Sequence, residues 1–215
     1  MIGDPAPGLV DELRPIGAEV EVVLDVRNLR TQDEAGKLVR RALERFGRID
    51  ATAMFSGEIV VGPFLGSTVE QLWRVYAGCV EAPYHFLRAV TPPMVERGEG
   101  QMLVISSAAG ARPTPNAPPL LRDATGATML ARNVAGEVAH QGVQVNAVGS
   151  NYIDFPELLR ATGRTTPEGR AHLEAQALMS RLGTLEEFAA FCVPFIDGTS
   201  RFTTGQFVAY AGGWA

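Results

Sequence analysis

The chain has 215 residues, 46% hydrophobic and 20% charged, which fits one globular domain able to bury a sizeable core. Its formal net charge is −5 and no basic cluster stands out, which argues against a nucleic-acid partner. No apolar run reaches the ~18 residues of a membrane span, and no charged-then-apolar leader opens the chain, so the cytoplasm is the default compartment.

In chain order, a Pro- and Gly-containing start leads into Leu9–Arg14, which reads as a short helix. Val20–Leu24 is the first strand-like apolar run. Thr31–Gln32–Asp33–Glu34 has the form of a capping box, Leu38, Val39, Ala42, Leu43 and Phe46 follow at helical spacing, and Gly47 ends the helix. Ala51–Phe55 reads as a strand, and Val69–Arg97 as a long helical region with a kink expected near Pro83. Met102–Ile105 is the next strand. A helix over about Leu120–His140 has the small buried face Ala124, Ala127, Thr128, Ala131, Val134 and Val138, suited to close helix or subunit contact. Val143–Val148 is a strand, Arg160–Gly169 the expected mobile loop, Leu185–Ile196 a helix and Gln206–Ala209 the last strand.

The strand runs are mostly continuous in apolar character, as expected for strands covered on both faces. Their alternation with helices predicts an open α/β parallel sheet built through right-handed crossovers, one domain over residues 1–215. Cys79 and Cys192 form no CxxC pair, which favours free thiols and leaves one disulfide open. His85, His140 and His172 are scattered, so no metal site is expected.

Several segments together resemble the short-chain dehydrogenase/reductase superfamily. Asp25–Val26–Arg27–Asn28 is similar to its acidic motif after the third strand, and Phe46–Gly47–Arg48–Ile49–Asp50 to the tract before the fourth. Met102–Ala108 resembles the fifth strand with its catalytic serine, here Ser107. Val143–Val148 resembles the sixth strand, and Thr204–Gly205–Gln206 with Ala211–Gly212–Gly213 the seventh and its exit. The resemblance implies a Rossmann-like doubly wound sheet, and Asp25 would touch the adenine side of a dinucleotide if one binds.

The pattern departs from that family twice. No strand, Gly-rich turn and helix that would cradle a pyrophosphate is seen; Gly3 and Gly8 beside two prolines do not form one. The first strand–helix–strand unit is therefore expected to be missing, through a truncated gene model or a naturally short protein, and Val20–Leu24 is expected to lack its neighbour in the main sheet. Counting from Ser107, the family's tyrosine falls at Leu120 and its lysine at Ala124, neither of which transfers a proton. Asp123 is a substitute base only if it is not compensating the helix dipole.

Gly149–Ser150–Asn151–Tyr152–Ile153, followed by Asp154–Phe155–Pro156, resembles the halohydrin dehalogenase branch, where such a segment builds a halide or nucleophile pocket. That branch uses Ser–Tyr–Arg and needs no redox cofactor. Trp214 is expected to be a packing or interface anchor. The main expectation is a degenerate, non-redox lyase or epoxide-opening protein with no cofactor. An NAD(P)-dependent oxidoreductase is the first alternative, and a catalytically silent subunit pairing with active paralogues is the second. Expected partners are a small-molecule substrate and a homo-oligomer or paralogue joined through the two long helices.

Overall fold

The computed structural model describes residues 8–26, 28–55, 57, 58, 60, 62–112, 124–161 and 163–214. A five-residue helix α1 (Leu9–Leu13) precedes α2 (Gln32–Phe46). The first strand, β1 (Ala51–Phe55), leads through α3 (Val69–Tyr76) and α4 (Ala82–Arg97) to β2 (Gly100–Ser107). Helix α5 (Ala124–Val138) precedes β3 (Val143–Ser150), and α6 (Pro156–Ala161), α7 (Pro167–Glu174) and α8 (Leu185–Cys192) precede β4 (Phe207–Tyr210).

The sheet has four parallel strands in the order β1-β2-β3-β4. Strands β2 and β3 pair over eight positions, from Gly100 opposite Val143 to Ser107 opposite Ser150. Side chains alternate between the two faces along each strand. One face sends Met54, Met102, Val104, Val145 and Ala147 into a core completed by α2, α4 and α5. The other sends Leu103, Ile105 and Val148 against Phe188 and Cys192 of α8. Both faces are covered along β2 and β3, which accounts for their unbroken apolar runs.

Strand β4 is held by a buried amide. Asn146, 2% exposed, donates from Nδ2 to the Thr203 carbonyl at 2.8 Å, and its Oδ1 accepts from the Gln206 N–H at 3.1 Å. The Val145 N–H donates to Thr204 Oγ1 at 3.1 Å, and the Gly205 N–H donates to the Val145 carbonyl at 2.8 Å. A polar residue in the middle of an apolar strand is thus fully used in fixing the turn that delivers β4.

The α/β parallel sheet expected from the sequence is present, as are four of the five expected strands. Val20–Leu24 forms no strand. Within it only Val23 makes a bridge, and Val23, Val26 and Leu29 are buried in the core beside α2. Beyond that one bridge the run has no strand beside it among the described residues, so extended geometry gains little and it settles as a packed loop. The Thr31 capping box is present, and Val39 is buried as expected, whereas Phe46 stays 43% exposed.

Between α3 and α4 the chain makes a π-turn at Ala77–Glu81, rather than bending at Pro83 alone. Pro83 sits in the first turn of α4, where its missing N–H costs little. Part of the expected mobile loop is helical, since Thr166 caps α7 by accepting from the Gly169 N–H at 3.2 Å. The small face of α5 is spent within the chain, with Ala127, Ala131, Ala135 and Val138 buried in the core beside β2 and β3. No described helix is long and apolar enough to cross a membrane.

Replacing Asn146 by Ala leaves the Gln206 N–H without its acceptor, while the Thr203 carbonyl keeps the Gln144 amide as a donor at 3.3 Å. An unsatisfied group of this kind costs ~1–3 kcal/mol, so urea unfolding of the Asn146→Ala variant is expected to show a loss of about 1–3 kcal/mol. A loss below about 0.5 kcal/mol, the size of an ordinary surface change, would contradict the clamp.

Candidate functional site

In a parallel α/β sheet, ligands bind in the crevice beyond the carboxyl ends of the strands. Here those ends are Phe55, Ser107, Ser150 and Tyr210. The register sets Ser107 directly opposite Ser150, so the candidate serine and the segment after β3 come together at one place. Ser107 Oγ accepts from the Ala109 N–H at 3.2 Å, which caps the single helical turn Ala108–Gly110. Its O–H remains a donor, so capping and polarising a carbonyl oxygen are compatible for this hydroxyl.

Gly149 brings the strand ends into close contact. A Cβ there would lie 2.7 Å from the Ala108 nitrogen and from the Ser107 carbonyl carbon. The segment expected to form an open pocket is largely consumed by packing. Ile153 is 3% exposed and joins the core under α8, and its backbone bridges Gly183. Tyr152 is 7% exposed and has a left-handed backbone, φ 55°. Such a conformation costs a non-glycine residue ~1–3 kcal/mol. Asn151 Oδ1 accepts from the Tyr152 N–H at 3.0 Å, and the Gly183 N–H donates to the Tyr152 carbonyl at 2.9 Å. The Tyr152 ring meets Trp214 edge to face, with centroids 5.6 Å apart.

Trp214 is an intramolecular anchor, 5% exposed, as its packing role required. Arg112 lies 5.5 Å over its ring and donates to its carbonyl at 2.5 Å. This ties the chain after Ser107 to the carboxyl-terminal turn. Ser150 and Asn151 remain half-buried at the strand ends, and of the five expected pocket residues these two keep accessible polar groups. Leu120 and Asp123 lie outside the described residues; Ala124 is the first residue of α5.

Sequence reasoning missed the contribution of the π-turn. Cys79 Sγ donates to the Glu58 carbonyl at 3.7 Å, and Arg74 pairs with the Glu58 carboxylate. These contacts hold the loop after β1 near the strand ends. The Gly78–Cys79 pair inside a helical stretch was the available signal, since π-turns recur at functional sites.

Two arginine–carboxylate pairs brace the other side. Arg170 binds Asp154 through both oxygens, at 3.0 and 2.6 Å, and Arg181 binds Glu187 likewise, at 2.8 and 2.7 Å. Glu187 also closes the capping box of α8 by accepting from the Thr184 N–H at 2.9 Å. The Arg181 guanidinium, with help from that N–H, lowers the Glu187 carboxyl from the ordinary 4.5 to about 2. A depressed folded-state pKa adds stability above pH 4.5 that fades as the pH falls towards 2. Glu187→Gln is therefore expected to flatten the loss of melting temperature between pH 4.5 and about 2, with no change of slope between pH 6 and 8. Unchanged acid slopes would contradict the pair's role.

A dinucleotide needs donors for its phosphates, and the described residues do not fit that need. The N-termini of α2, α3 and α8 are each closed by their own capping box, through Thr31 with Glu34, Thr68 with Gln71, and Thr184 with Glu187. Two of those boxes place a carboxylate where a phosphate would sit. Asp25, expected at the adenine side, is exposed and paired with Lys37 at 3.1 Å, which lowers its pKa. No described residues form a strand, Gly-rich turn and helix start in sequence.

A family model described as enoyl-(acyl carrier protein) reductase matches residues 3–215. D-beta-hydroxybutyrate dehydrogenase of Rhizobium meliloti is 26% identical over 222 residues, covering 96% of this chain and 86% of that protein. A provisionally assigned gluconate dehydrogenase from Agrobacterium tumefaciens superposes with TM-score 0.87 at 24% identity, over 99% of this chain and 84% of its own. ElxO with NADP bound superposes with TM-score 0.81 at 19% identity, over 90% of this chain and 77% of its own. These findings overturn the expectation that no cofactor is involved. The relatives named here include a dehydrogenase, the family model is that of a reductase, and ElxO, which shares the fold, holds NADP. They give the halohydrin dehalogenase branch no support. With its parallel sheet, Ser107 at the end of β2 and a reductase match running nearly end to end, this chain belongs to the short-chain dehydrogenase/reductase superfamily.

Proposed function

We propose that the chain serves as an NAD(P)-dependent oxidoreductase acting on a carbonyl or hydroxyl group of a small molecule at the ends of β2 and β3. The observation that carries this reading is the placement of Ser107, half-buried and opposite Ser150, with its O–H free to donate while Oγ accepts from Ala109. Relatives that are dehydrogenases and reductases support the class. The non-redox lyase, the main expectation from sequence, gives way to this reading.

The chain's own residues then have limited roles. Ser107 polarises a carbonyl oxygen, and Ser150 and Asn151 supply polar groups beside it. Leu120 and Ala124, at the family's tyrosine and lysine positions, move no proton, so a contribution of ~10²–10⁴ in rate is forfeited there. That observation favours a second reading, in which the chain binds without turning over and pairs with an active paralogue. An apolar groove of about 380 Å3 between α4 and α5, walled by Leu87, Val95, Leu130 and Val134, is where that pairing would form.

Thermal melting with NADP(H) and with NAD(H) tests the main reading. A ligand at a hundredfold excess over its dissociation constant adds ~2.7 kcal/mol, or about 5–10 °C for a domain of this size. The expected result is such a shift with one dinucleotide and a slow carbonyl reduction that Ser107→Ala lowers further. A cooperative melt that neither dinucleotide moves would contradict the reading. A shift without any turnover would favour the pairing subunit.

A further inference from the structure

The two segments that follow the paired serines meet on one side chain. Ser107 leads into Arg112 through a single helical turn, which the Ala111 N–H closes by donating to the Ala108 carbonyl at 2.9 Å. Ser150 leads through Asn151 into Tyr152. Trp214 touches both segments. The Arg112 guanidinium lies over its ring and donates to its carbonyl, and the Tyr152 ring meets it edge to face. Ala108, the residue directly after Ser107, belongs to the same buried cluster as Tyr152 and Trp214.

The Asn151 side of this contact is held against its own preference. Tyr152 keeps a left-handed backbone, which a residue with a side chain adopts when its surroundings impose it. The Gly183 N–H holds the Tyr152 carbonyl, and the buried Trp214 holds the ring. The Tyr152 N–H in turn donates to Asn151 Oδ1, and the Asn151 N–H donates to the Tyr210 carbonyl at 3.1 Å. With Oδ1 used in this way, the Asn151 amide offers Nδ2 as its donor. The orientation of that amide therefore depends on the Tyr152 backbone, and so on the ring packed against Tyr152. On the other side, Arg112 is exposed, so its contacts with Trp214 add restraint more than they add core.

We propose that Trp214 is a positioning residue. It braces the Ser107 turn and the Asn151 amide against each other, through Arg112 on one side and Tyr152 on the other, and so sets the spacing between the hydroxyl and amide donors of the site. The use of that spacing rests on the oxidoreductase reading, in which a carbonyl compound is held in one orientation beside Ser107. The brace itself is tested without dinucleotide or turnover, so the two can fail separately.

Residue-resolved amide exchange in the natural chain and in variants tests it. Two amides report the two sides: Ala109, which donates to Ser107 Oγ, and Tyr152, which donates to Asn151 Oδ1. In Trp214→Leu both are expected to exchange about tenfold faster or more, while Val145–Val148 keep their rates. Trp214→Phe, which keeps a ring against Tyr152, is expected to restore the Tyr152 rate. Arg112→Leu is an exposed change on the Ser107 side, and it is expected to quicken Tyr152 across the brace. Added to Trp214→Leu, it is expected to have no further effect on Tyr152, because the link is already broken. If Trp214→Leu fails to fold, Arg112→Leu decides. Unchanged Tyr152 exchange in Arg112→Leu, or equal Tyr152 rates in the Phe and Leu variants, would overturn the proposal. So would faster exchange spread evenly over Val145–Val148 as well, which would show a loss of global stability alone.

Discussion

Everything at the carboxyl end of the sheet depends on the eight-residue parallel register between β2 and β3, because it alone sets where Ser107 stands relative to the segment after Ser150. A slip of one residue would turn Leu103, Ile105 and Val148 away from α8 and bring Gly149 out of contact with the Ser107–Ala108 backbone. The absence of a side chain at Gly149 permits that contact. The buried Asn146 extends the same register to β4 by binding the turn before it. Strand pairing, core packing and site geometry are therefore one constraint seen at three scales.

In the proposed reading, a reductase scaffold persists without its proton relay. Ser107 supplies its hydroxyl, whereas the sequence count from it puts Leu120 and Ala124 at the two positions that would complete the relay. Around Ser107 the chain invests in rigidity. Tyr152 holds a left-handed backbone, Trp214 packs on it, and Arg112 fastens Trp214 to the segment after the serine. Salt bridges at Asp154–Arg170 and Arg181–Glu187 fix the loops beyond. This pattern fits a site that positions a ligand more readily than one that supplies acid and base.

Much of the fold was legible in the sequence because continuous apolar runs and capping boxes are local signals. Ala51–Phe55, Met102–Ile105 and Val143–Val148 announced the sheet, and Thr31 with Glu34 announced α2. The Val20–Leu24 run misled because strand formation depends on a neighbour that local pattern does not report. The place of Ser107 at the end of β2 followed from the Met102–Ile105 run, whereas its catalytic role came only from the resemblance. The burial of Tyr152 and Ile153, and the π-turn that brings Cys79 to Glu58, arise from contacts distant in sequence. The resemblance placed the chain in its superfamily, but the branch it pointed to finds no support, since Asn151–Tyr152 reads alike whether the tyrosine lines a pocket or packs beneath it.

The central claim is a sheet whose middle pair is sealed and whose β1 outer edge meets no backbone partner among the described residues. Residue-resolved amide hydrogen exchange on the free chain tests it most directly. The account predicts that Met102–Ile105 and Val145–Val148 exchange only through global unfolding, while Ala51, Ala53 and Phe55 exchange by local exposure, orders of magnitude faster. Protection of those three amides equal to that of β2 would contradict it, because it would mean that the edge is already covered.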